Sequence, residues 1–95
     1  MLDLELMSDE AQLYFDDYVV NGSDDELFAS GYLRGHVDLV IGTALAQAKP
    51  LNLEELVSGI TQSVNKAIKN GELEQSDVLV VNNVLKNLVE RLESL

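Results

Sequence analysis

The sequence has no cysteine and no tryptophan, one proline, one histidine and six basic residues in 95. Without cysteine there is no disulfide framework, no thiolate metal site and no cysteine nucleophile. The single histidine, His36, leaves one chain short of the ligands a transition-metal site needs. No run approaches the eighteen or so apolar residues that span a bilayer. The opening MLDLELMSDE carries acids where a secretory signal carries bases. These absences lead us to expect a soluble cytoplasmic protein that neither crosses nor coats a membrane. Its length fits one domain, residues 1–95, with one modest core.

What the sequence has in excess is negative charge. Formal net charge is −11, from 17 acids and 6 bases, and it is unevenly placed. Residues 1–48 hold ten acids against the lone base Arg34, and residues 49–95 hold seven against five. A field of this sign repels phosphates and anionic lipid heads, so direct nucleic-acid binding is not expected. It favours solubility, and it attracts basic proteins.

Four helical patterns follow one another. Leu4, Met7, Ala11, Tyr14, Phe15 and Tyr18 recur at helical spacing over about residues 3–20. Leu6, Leu13 and Val20, seven apart, make a second thin stripe among the acids. Asn21–Gly22 is turn chemistry, as both residues tolerate positive φ. In SDDE, Ser23 and Glu26 have the spacing of a capping box, and Asp24 and Asp25 fall where the helix dipole favours acids.

The second helix is expected over about 24–48 and carries two apolar arcs, Phe28, Tyr32 and Leu39, then Leu33, Val37, Val40 and Ala44. Apolar residues on more than one side mark a central helix. Gly31, Gly35 and Gly42 lie within about 40° of one another on the wheel, and each costs about 1 kcal/mol against alanine. Close approach of a neighbouring helix is the expected compensation.

Lys49–Pro50 ends that helix. Asn52 and Glu55 repeat the cap spacing, and Leu53, Leu56, Val57, Ile60, Val64, Ala67 and Ile68 form the third stripe, ended by Asn70–Gly71. The fourth helix is expected from about Ser76, with Val81, Val84, Leu85, Leu88, Leu92 and Leu95 inward. VLVV at 78–81 has β-branched content, but the helical spacing runs on past it. The fold class is therefore all-α, a compact antiparallel four-helix bundle-like domain.

Little of this chemistry suits catalysis. His36 has a pKa range suited to a general base, but no nucleophile stands at suitable spacing. The acids lack the glycine and glutamate of a calcium-binding loop, and Gly31 and Gly35 do not form a phosphate-binding loop. No cofactor or metal is expected.

SDDELFASGYLRGH (23–36) closely resembles the characteristic segment of the YfcL family, small acidic bacterial proteins without an assigned function. Similarity continues into VNKAIKNGEL (64–73). The resemblance implies an all-α domain and supplies no catalytic residue to transfer.

The leading expectation is a non-enzymatic protein-interaction or regulatory module, with a surface including Leu6, Leu13, Asp16 and Asp17 that takes a basic protein partner. The leucine stripe also leaves a homodimer open. The rival is a small-ligand or metal-ion site over Tyr32, Arg34, Gly35, His36 and Asp38, with Arg34 drawing an anionic ligand. A third reading is an acidic decoy that imitates DNA.

Overall fold

In the computed structural model, residues 4–95 are described, and they form four helices: α1 (Leu4–Asn21), α2 (Asp24–Ala46), α3 (Leu53–Lys69) and α4 (Gln75–Glu93). The expected start at residue 3 lies outside the described residues. VLVV is helical, and among the described residues there is no strand. The helix spacing thus outweighed local β propensity.

Both capping boxes form. The Ser23 hydroxyl accepts from the Glu26 amide at 3.2 Å, and the Glu26 carboxylate accepts from the Ser23 amide at 3.0 Å. At α3 the Asn52 side chain accepts from the Glu55 amide at 2.7 Å, with Glu55 returning the bond. Each box satisfies backbone donors that the first helical turn leaves unpaired.

The connections differ from expectation in one respect. Neither Asn21 nor Gly22 adopts positive φ. Gly22 is required for a steric reason instead, because a Cβ there would lie 2.6 Å from the Tyr18 carbonyl oxygen. The left-handed positions are Ala48 (φ 51°) and Gly71 (φ 76°). Both close a helix in the same way: the Lys49 amide reaches back to the Ala44 carbonyl at 2.9 Å, and the Glu72 amide to the Ala67 carbonyl at 3.2 Å. Alanine closes α2 where glycine closes α3.

Successive helices run antiparallel, as the cross-contacts show. Gln12 meets Asp38 while Asp16 meets Arg34, and Val40 approaches Gly59 while His36 meets Ser63. In each pair of contacts the partner's number falls as the first rises. Helix α2 touches all three others and pairs most extensively with α4, while α1 and α3 flank that pair. The core joins Met7, Ala11 and Phe15 of α1, Leu33, Val37 and Ile41 of α2, Leu56, Ile60 and Val64 of α3, and Val81, Val84, Leu88 and Leu92 of α4. Burying each large side chain contributes about 1.5–3 kcal/mol. Ser30, the buried polar residue, donates to the Leu27 carbonyl at 3.0 Å.

Three packing expectations are corrected. Phe28 and Leu39 are 50% and 63% exposed, because α2 has neighbours on its core side and both flanks but none outward. Gly31, Gly35 and Gly42 have no atom within 4 Å of where a Cβ would stand, so no helix of this chain approaches them. The close approach occurs from the other side, at Gly59, whose Cβ would lie 3.2 Å from Val40 Cγ1. Leu95 follows the end of α4 and is exposed.

The two closures make a paired prediction. Ala48→Gly relieves a left-handed alanine and should raise stability by about 0.5–1 kcal/mol, whereas Gly71→Ala should lower it by about 1 kcal/mol. Urea unfolding of both variants, at unchanged slope, checks the opposite signs.

Candidate functional site

Residues 32–38 occupy two turns of α2, so a helix of 3.6 residues per turn points them in different directions. Arg34 and Asp38 turn toward α1. Arg34 Nη1 lies 3.2 Å from Asp16 Oδ1, Nη2 donates to Gln12 Oε1, and Gln12 Nε2 donates to Asp38 Oδ1 at 3.0 Å. The guanidinium also lies over the Phe15 ring, 5.9 Å from its centroid. Arg34 thus ties α2 to α1 through charge, hydrogen bonding and ring contact together.

The chain's other arginine does the same from α4. Arg91 Nε donates to Glu10 Oε1 at 2.7 Å, and its guanidinium lies 5.8 Å from the Tyr14 centroid. Tyr14 and Phe15 are adjacent in sequence, so α1 is gripped on both flanks through neighbouring rings. Between them the Tyr14 hydroxyl donates to the Val84 carbonyl at 2.8 Å. Its oxygen is 3.0 Å from the Tyr18 hydroxyl, which must donate in turn because the Tyr14 proton is already engaged. Burial, then the Tyr18 bond, pushes the Tyr14 phenol well above the usual tyrosine range.

Tyr32 and His36 turn to the opposite flank, toward α3. His36 Nδ1 lies 2.6 Å from Ser63 Oγ, and its ring rests on Tyr32 at 5.0 Å. Tyr32 in turn stacks on Phe28 at 6.2 Å and donates to Glu72 Oε1 at 3.0 Å. Burial and then Glu72 raise the Tyr32 pKa. Ser63 was not among the sequence candidates. A serine beside the only histidine invites comparison with a nucleophile–base pair, but Ser63 sits inside α3, where backbone amides are bonded to carbonyls four residues back. Those amides are not available to stabilise an oxyanion.

Gly35 lies between the two flanks, on the outward side. Four of the five residues proposed from sequence as one site, Tyr32, Arg34, His36 and Asp38, therefore form two hydrogen-bonded networks on opposite sides of α2, and Gly35 belongs to neither. On α1, Leu6 and Leu13 are exposed as the thin stripe implied, and Val20 is 80% exposed. Asp16 is engaged with Arg34, and Asp17 accepts from Asn21 Nδ2 at 2.9 Å.

The turn joining α1 to α2 gathers carboxylates. Asp16 and Asp17 lie within the last two turns of α1, and Asp24, Asp25 and Glu26 begin α2. An open depression of about 410 Å³ is lined by Asp17, Tyr18, Asn21 and Glu26 on this side and by Asn87 and Arg91 of α4. Among the described residues no group of acids or histidine has the geometry to hold a metal ion. Among the same described residues no helix is long and apolar enough to cross a membrane.

The raised Tyr14 pKa carries a pH dependence. The unfolded chain deprotonates this phenol near pH 10, while the folded chain resists, so the stabilisation is complete below about pH 10 and is lost as pH rises beyond it. Tyr14→Phe should flatten that alkaline loss and should cost about 1 kcal/mol at neutral pH by removing the bond to Val84. Denaturant midpoints from pH 7 to 11 for both proteins test it.

The chain is 41% identical over 76 residues to a protein of Escherichia coli (strain K12) named "Uncharacterized protein YfcL", covering 80% of this chain and 82% of that protein. No solved structure matches. The sequence model of the family described as "YfcL protein" matches residues 6–90. With a family match along nearly its whole length and a relative of 41% identity covered over most of both chains, this chain belongs to the YfcL family.

Proposed function

We propose that this chain is a non-enzymatic protein-interaction module whose acidic α1–α2 end docks a basic protein. The observation that supports it is the placement of Asp16, Asp17, Asp24, Asp25 and Glu26 on both sides of a two-residue link. Arg34, the one base in residues 1–48, is drawn into the α1–α2 contact and leaves that end acidic. Carboxylates held on the helices either side of that link suit arginines or lysines of a partner. The same field disfavours nucleic acid and anionic membranes. Leu13, exposed one turn from Asp16 and Asp17, offers the apolar contact such a surface needs.

The rival, a small-ligand or metal-ion site over Tyr32–Asp38, has less support. Arg34, His36, Asp38 and Tyr32 each bond to another residue of the chain, in two networks on opposite flanks of α2.

Asp16 holds Arg34, so the cleaner test of the acidic surface reverses Asp17 and Asp25, both exposed. Immobilised protein incubated with bacterial lysate at low salt should retain a stoichiometric basic partner that elutes as salt rises. Asp17→Lys with Asp25→Lys should weaken that capture by at least about tenfold without altering the helical circular dichroism. Retention of the same partner at equal strength by the reversed variant would overturn the acidic surface as its docking site.

A further inference from the structure

The outward side of α2 is the part of the molecule that its own fold does not explain. Between Leu27 and Ala46 this side presents Leu27, Phe28, Leu39 and Leu45, which are 44–63% exposed. Threaded among them are Gly31, Gly35 and Gly42, all open at the Cβ position. Solvent-facing helix positions ordinarily carry polar residues with good helix propensity, and three glycines here forgo the stability such residues would add. Nothing within the chain compensates for them.

The spacing is symmetric about Gly35. Gly31 and Leu39 stand four residues to either side, and Phe28 and Gly42 stand seven to either side. In an antiparallel pair of α2 helices related by a two-fold axis at Gly35, each residue faces the one equally far on the opposite side. Leu39 then falls on the partner's Gly31, Phe28 on the partner's Gly42, and Gly35 on its own counterpart. Phe28 and Leu39 thus each meet a bare stretch of backbone near the centre, the condition for close interhelical approach, while Leu27 and Leu45 lie toward the ends.

Charge selects the same occupant. Two copies with net charge −11 repel across most of their surface. Along this side the acid is Asp38 and the base at its edge is Arg34, on the same flank. Both are already engaged at the α1 edge, Arg34 with Asp16 and Asp38 with Gln12, and between Leu27 and Ala46 the outward side itself carries no other charge, so two acidic copies meet along it with little repulsion. A basic protein finds no line of carboxylates here.

From these observations we infer that the outward side of α2 is the contact through which two copies of this chain associate, antiparallel and centred on Gly35. The contact is small. A helix of 23 residues is about 35 Å long, and one helix side falls short of the roughly 800 Å² per partner of a standard interface. The dimer is therefore weak and concentration-dependent, and it leaves the acidic α1–α2 end free.

The absence of native cysteine makes a direct test available. Under mild oxidation Gly35→Cys should form a covalent dimer far faster than Leu79→Cys, an exposed position on α4. In sedimentation equilibrium up to millimolar concentration, the native chain should pass from monomer to dimer, and Gly35→Leu should remain monomeric. Because the monomer has space at this position, Gly35→Ala should fold and should raise the monomer's thermal midpoint by about 4–8 °C while weakening the dimer. A native chain that stays monomeric throughout, equal cross-linking of the two cysteine variants, or a dimer that survives Gly35→Leu and is lost with Leu13→Asp would each overturn the assignment.

Discussion

The packing of α2 against α4 is the constraint on which the rest of the molecule depends. Each of these helices offers a continuous apolar side, and together they bury Leu33, Val37, Ile41, Val84, Leu88 and Leu92. A chain of 95 residues has material for one such centre. Once it forms, α1 and α3 have only its two remaining sides to cover, and one side of α2 is left facing outward. The exposed glycines and the divided Tyr32–Asp38 segment both follow from that arrangement.

Helix α1 is held differently from α3. The inward side of α3 is a clean aliphatic stripe, and apolar burial accounts for its place. Helix α1 carries five aspartates and glutamates between Glu5 and Asp17 and gives up two of them, Glu10 and Asp16, to the chain's two arginines. Part-exposed ion pairs of this kind contribute only about 0–1 kcal/mol each. Their larger effect is orientation, since each guanidinium also lies over a ring, and the Tyr14 bond to Val84 fixes the helix along its length. Electrostatics therefore position the acidic surface more than they stabilise it.

Much of this was legible because it is local. Ser23 with Glu26, and Asn52 with Glu55, carry their cap geometry within four residues, and the α3 stripe needs only the helical period. The four helices and the family followed from such signals. What the sequence did not disclose depends on neighbours far along the chain. Phe28 and Leu39 look like core from composition, and only the absence of a fifth element makes them surface. Gly59 rather than Gly35 receives a neighbour because α3 meets α2 at Val40. Ser63 meets His36 for the same reason, at a separation of 27 residues. Ala48 gave no warning of a left-handed closure, since alanine is a poor residue for one.

The order of contacts along the chain has a kinetic meaning. Helix α1 packs on α2 and α2 on α3, segments close in sequence. The central α2–α4 contact and the seam between first and last helix instead join distant segments, with Tyr14 reaching Val84 across 70 residues and Glu10 reaching Arg91 across 81. Closing loops of that length costs more chain entropy than pairing neighbours. The core is therefore completed by its carboxy-terminal helix, and the first three helices lack their common centre until that segment has joined them.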